Sequence, residues 1–324
     1  MPRLSLLAVA FVSLVANVVA AAPPEGVEIL RQEWTDTAHH RTLPIKIDFP
    51  KSADKPLPVV IISHGLGGSR EGLAYIGEYW AAHGYVAIHL QHVGSDESIW
   101  KGKKMADIVP AMKSAETAEQ FINRINDVHF AIDHLKELNE DTTFPLHGKL
   151  DLDRIAMAGH SFGAITTQAV CGQVFPGGRN AADPRIKVGV IFSPSPPAGG
   201  NTAAAFSKIA MPLFHWTGTK DQVPAGISTV TPEQRRMPYD AINTSDQYLV
   251  ILTDADHGIF GGRARENGRL HPNDAAWIDV IQRGSTAFLD KYLKADKAEA
   301  TYLDDGEFAK AVKKLGTFEM KKPK

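Results

Sequence analysis

Cysteine is nearly absent from this 324-residue chain. Cys171 stands alone, so no intrachain disulfide can form and the fold must rest on its core. It falls about ten residues after Ser161 and reads as a small buried apolar side chain. An excess of charge is lacking too: 35 Lys and Arg against 37 Asp and Glu leave a formal net charge of −2. That balance gives no field to gather nucleic acid or an acidic membrane surface. Among the 13 histidines no pair takes the spacing of helical metal ligands, so neither a metal nor an organic cofactor is implied. Long apolar runs are missing after the first twenty residues. Leu4 to Val19 is apolar and uncharged, preceded by Arg3 and followed by Ala20-Ala21-Ala22 and Pro23-Pro24. That layout predicts a secretory signal peptide over residues 1–21 and an exported protein, periplasmic or secreted, with no stable membrane insertion once the signal is gone.

What is present is ordinary globular composition, 44% apolar and 22% charged, enough for one large core. Residues 22–324 show no internal repeat and no linker long enough to separate two domains. Val27 to Trp34 and Thr42 to Phe49 alternate apolar with polar residues and predict an antiparallel hairpin at a sheet edge. Continuous β-branched runs follow at Val59–Ser63, Val86–Leu90, Ile155–Ala158, Val188–Phe192, Met211–Trp216 and Tyr248–Leu252. Such runs fit parallel strands buried on both faces. Helices are expected near Glu71 to His83, over Glu116 to Leu138 with apolar residues at helical spacing, after Ser161, and over Asp274 to Leu293 with Asp274 as N-cap. Val93 to Ser114 has no clear period and reads as a surface excursion. The tail from about 294 has a short helical pattern and a basic end, Lys321-Lys322-Pro323-Lys324, read as a solvated terminus. Strands alternating with helices define an α/β fold, a mostly parallel central sheet with helices on both faces and the hairpin at its N-terminal end.

The chemistry gathers around Gly159-His160-Ser161-Phe162-Gly163. A buried strand precedes this G-x-S-x-G pattern and a helix can follow it, the context of a nucleophile elbow. Serine is a weak nucleophile and needs a base within reach. His257, after the last buried run, can accept and return a proton near neutral pH. The imidazole needs a carboxylate. Asp221 has the chain order Ser…Asp…His, with Asp254 and Asp256 as alternatives. A tetrahedral oxyanion needs two N–H donors, which Phe162 and Leu66 of the glycine-rich loop His64–Gly68 would supply. Ser161, Asp221, His257 and that loop all fall at carboxyl ends of separate strands, where open α/β sheets bind ligands.

On these residues the chain resembles α/β-hydrolases, specifically the platelet-activating-factor acetylhydrolase-like and dienelactone-hydrolase-related esterases. The similar stretches are Ser63–Arg70, Ala82–Ile88 and Gly159–Gly163. The resemblance implies Ser161 as nucleophile, His257 as base, and Leu66 and Phe162 as oxyanion donors. Two departures stand out. The acetylhydrolases carry their acid where this chain has Ser193-Pro194, which moves the acid to Asp221, and dienelactone hydrolases proper use a cysteine nucleophile. The expected function is an exported serine hydrolase of small-molecule or polymer carboxylic esters, with short acyl chains. A cutinase-type polyester hydrolase and a catalytically silent binding protein are the alternatives.

Overall fold

Six runs apolar at nearly every position form the middle of one nine-stranded sheet. The computed structural model describes residues 23–223, 227–262 and 271–323, so the predicted signal peptide lies outside the described residues. The strands are β1 (Val27–Asp36), β2 (Arg41–Pro50), β3 (Leu57–Ser63), β4 (Val86–Leu90), β5 (Leu150–His160), β6 (Ile186–Phe192), β7 (Leu213–Lys220), β8 (Gln247–Asp256) and β9 (Gly316–Lys321). Their spatial order is β1-β2-β4-β3-β5-β6-β7-β8-β9. The block from β4 to β8 is parallel, while β1–β2, β2–β4 and β8–β9 pair antiparallel. This is the mostly parallel α/β sheet with an N-terminal hairpin that the patterning predicts.

Successive side chains of a strand point to opposite faces, and the core divides accordingly. Val59 and Ile61 of β3 pack into one cluster with Ile125, Val128 and Leu135 of helix α3 (Ala118–Glu140) and Ala169 of α4 (Phe162–Val170). Val60 and Ile62 pack into the other, against Ile76 and Trp80 of α1 (Ala74–Ala82) and Trp277 and Phe288 of α5 (Asp274–Leu293). Both faces are thereby covered.

Three expectations are corrected. Val93–Ser114 is not bare loop: a 3₁₀ turn at Glu97–Ile99 leads to helix α2 (Met105–Ala115). Met105, Ile108, Val109 and Met112 do stand at helical spacing, but Pro110 interrupts the run and none of the helix residues is buried. The tail's helical pattern forms two short helices that lead to β9, an edge strand paired along β8, so the described part of the basic end is solvated only at Lys322 and Pro323 while Lys321 belongs to the sheet. Lys321 there donates to the Asp240 carbonyl. The α5 boundary residue is Asn273, not Asp274, whose Oδ2 accepts the His271 N–H from inside the first turn. The backbone is left-handed at Asp254 (φ 62°), within β8, and again at Gly262 (φ 76°), while Gly258 sits in the short helix His257–Phe260.

Candidate active site

Strand β5 runs into α4 with a single residue between them. That residue is Ser161, at φ 58° and ψ −115°, a conformation that costs on the order of 1–3 kcal/mol. Packing holds it there. A Cβ at Gly163 would overlap the Ser63 carbonyl, and one at Gly159 the Gly163 carbonyl, so both must be glycine for the helix to lie this close to the sheet. The Ser161 N–H donates to the Phe192 carbonyl at 3.0 Å, tying the turn to β6. Ser161, Leu66, Phe162, Ile165 and Arg235 line one small cleft of about 30 Å³.

Asp221 follows β7 immediately and is fully buried. Its Oδ1 lies 2.6 Å from His257 Nδ1, and its Oδ2 accepts the Thr217 hydroxyl at 2.8 Å. Burial by itself pushes this carboxyl up. The hydrogen bond and charge of His257, with Arg235 and Thr217, outweigh that and hold it below the usual carboxylate range. The two competing aspartates point elsewhere: Asp254 pairs with Lys220 at 2.7 Å, and Asp256 caps the helix His257–Phe260 by accepting the Ile259 N–H.

Two residues that sequence reasoning passed over complete this flank. Arg235, in the 3₁₀ turn Pro232–Arg236, is 1% exposed. Its Nε donates to the Asp221 carbonyl at 2.7 Å and stands 3.0 Å from Oδ1, while Nη1 donates to the Ser193 and Pro194 carbonyls. Its Nη2 is 3.5 Å from His257 Nδ1. With Nδ1 protonated toward Asp221 both atoms are donors, so that approach is not a hydrogen bond. Nothing in Pro232-Glu233-Gln234-Arg235-Arg236 marks one arginine as buried. The other residue is His160, whose Nε2 donates to the His257 carbonyl at 3.0 Å and whose ring packs 4.6 Å from that of His257. Its position beside the serine was legible, its bracing role was not.

On the opposite flank, the loop after β3 turns through Gly67 (φ 71°). The excursion after β4 clamps it: Gly67 N–H donates to Ser95 O at 2.9 Å, Trp100 Nε1 to Gly67 O at 2.7 Å, and Glu97 N–H to Gly68 O at 2.7 Å. Glu116, just beyond α2, reaches the cleft itself.

The sheet order, the elbow and the Asp221–His257 pair at the strand ends give the chain an α/β-hydrolase fold. Its sequence is similar to platelet-activating factor acetylhydrolases. The family model described as platelet-activating factor acetylhydrolase, isoform II, matches residues 34–136. The platelet-activating factor acetylhydrolase of Cavia porcellus is 26% identical over 285 residues, covering 79% of this chain and 62% of that protein. Those of Canis lupus familiaris and Bos taurus are 24% and 25% identical, covering 78% and 74% of this chain and 61% and 58% of theirs. The chain thus spans about three fifths of the length of these relatives.

Proposed function

We propose that the protein is a serine hydrolase of carboxylic esters, with Ser161 as nucleophile, His257 as general base and acid, and Asp221 as its carboxylate. The short contact between His257 Nδ1 and Asp221 Oδ1, beside the cleft that Ser161 lines, carries this reading. Engaging Nδ1 fixes the tautomer and leaves Nε2 for proton transfer. Ser161 Oγ attacks the ester carbonyl as its proton passes to Nε2, and the carbonyl oxygen becomes an oxyanion facing the Leu66 and Phe162 amides. Collapse expels the alcohol, which takes the proton from Nε2. Water then repeats the sequence on the acyl-enzyme and releases the acid.

Short acyl groups fit best. The cleft that Ser161 lines offers only about 30 Å³, which favours a small acyl group over a long chain. The similarity to acetylhydrolases supports the same size of acyl group. The apolar leader at Leu4–Val19 supports action outside the cytoplasm. Among the described residues no helix is long and apolar enough to cross a membrane. Hydrolysis of nitrophenyl esters from acetate to decanoate by the full chain and by Ser161→Ala tests the proposal. Activity should peak at acetate or propionate and vanish in the variant. A peak at long chains would refute the size assignment, and activity surviving in Ser161→Ala would refute the mechanism.

A further inference from the structure

Helix α3 carries a cation on its apolar stripe. Arg124 lies one and two turns before Val128 and Ala131 and is 0% exposed. Among the described residues no carboxylate lies within ion-pair distance of it. The oxygens of Asp127, one turn on, are taken by Arg41 and by neutral His92. Burial pushes the guanidinium down to about 9, against the pull of Asp127 and Asp96, which leaves it charged at neutral pH. A buried charge without a counter-ion is costly, so what it touches matters.

It touches the back of the loop after β3. Nη1 donates to the His64 carbonyl at 2.6 Å, Nη2 approaches the Gly65 carbonyl at 3.4 Å, and Nε donates to Ser95 Oγ at 2.8 Å. His64 grips the same carbonyl. Its Nε2 accepts the His92 N–H at 3.0 Å, so Nδ1 carries the proton and donates to Gly65 O at 2.6 Å. The Gly68 N–H adds a third bond to that oxygen at 3.0 Å. In a trans peptide the C=O of one residue and the N–H of the next point in opposite directions. Drawing Gly65 O inward therefore turns the Leu66 N–H outward. The guanidinium charge 3.4 Å from that carbonyl also polarises the peptide and strengthens the Leu66 N–H as a donor. The face of the same guanidinium lies 4.3 Å from the Phe162 ring centroid, fixing the residue that would supply the second amide.

We propose that Arg124 is the positioning residue of the oxyanion site, one buried guanidinium that orients both the Leu66 and Phe162 amides from behind. This rests on the serine-esterase reading, and the experiment separates the two. Full-length Arg124→Lys and Arg124→Met are compared with wild type on nitrophenyl acetate and on an alkyl trifluoromethyl ketone. That ketone adds Ser161 Oγ at its carbonyl carbon, passes the serine proton to His257 and places an oxyanion in the site. In Arg124→Met, kcat should fall about 100-fold with KM changed less than about threefold, and inhibition by the ketone should weaken by the same factor as kcat/KM. Arg124→Lys, which keeps charge but loses the fork, should fall between. A packing role alone would lower thermal stability and leave the ketone affinity of the folded fraction unchanged. A folded Arg124→Met with wild-type kcat, or with lost kcat but undiminished ketone affinity, overturns the assignment. If Arg124→Met does not fold, Ser95→Ala frees the Nε end, losing besides only the Ser95 hydroxyl bond to the His92 carbonyl. It should lower kcat and ketone affinity together by about fivefold, within the usual cost of one lost hydrogen bond, and no change in either overturns the assignment. Wild type without Ser161-dependent hydrolysis would sink the esterase reading itself. Ser161-dependent hydrolysis indifferent to Arg124 would sink this inference alone.

Discussion

The two flanks of the cleft are built on opposite principles. On the β7–β8 side the proposed chemistry uses side chains, with Asp221 holding His257 and Arg235 holding Asp221. On the β3–β4 side the proposed chemistry would sit in backbone amides, and the side chains of His64, Arg124 and Trp100 bond to carbonyls of the loop. A side-chain site is changed by altering the functional residue itself. A backbone site is changed only by altering what holds the peptide. Each flank nevertheless rests on a buried aspartate paired with one arginine and one histidine, Asp221 on the first and Asp127 on the second.

That contrast can be broken most forcefully at Asp221. Asp221→Asn should keep the fold and lower kcat by about 10⁴, because the amide cannot hold the productive tautomer of His257. Steady-state kinetics on nitrophenyl acetate beside circular dichroism would check it, and near wild-type kcat would remove Asp221 from the side-chain flank. Next comes Arg235→Met, which leaves Asp221 buried without its cation. We expect a loss of about 3–5 kcal/mol in unfolding free energy, read from urea denaturation, since removing one partner strands the other charge.

A smaller effect common to both flanks is the response to acid. Burial raises Asp221 and Asp127, yet their histidine and arginine partners win and both titrate below the usual carboxylate value. A lowered folded value means the stabilisation is present above the unfolded value and is lost as pH falls through the folded one. Stability should therefore drop as pH falls below about 4, and an asparagine at either position should flatten that limb of the urea-midpoint curve. The smallest effect sharpens the comparison. Leu66→Ala changes a side chain on the backbone flank, so kcat should move less than about threefold. A large loss in the folded variant would show that the Leu66 side chain acts, not its amide.

Much of this arrangement was legible in sequence because it follows from short-range rules. The continuous apolar runs announced the parallel strands, the two glycines around Ser161 announced the close helix–strand contact, and chain order favoured Asp221 over Asp254 and Asp256. What stayed hidden follows from contacts between segments far apart in the chain. Arg235 meets Asp221 across fourteen residues and Ser193 across forty-two. Helix α2 has Met105, Ile108, Val109 and Met112 at helical spacing, but the run is short, holds Pro110 and buries no residue, so it did not stand out. Strand β9 is an edge strand of intermediate burial whose partner lies more than sixty residues upstream. Arg124 did leave a trace, a charged residue in register with Val128 and Ala131 on a mostly apolar stripe that also holds Asp127, and such a position signals a buried cation.

Activation of Ser161 by His257 and Asp221 can be read from one labelling experiment. Wild type, Ser161→Ala and His257→Ala are exposed to a fluorophosphonate and the modified peptide is located by mass spectrometry. The account predicts one adduct on Ser161 in wild type, none on that peptide in Ser161→Ala, and labelling slowed by at least about 10³ in His257→Ala. Labelling of Ser161 at the wild-type rate without His257, or no adduct on Ser161 in the folded wild type, would contradict it.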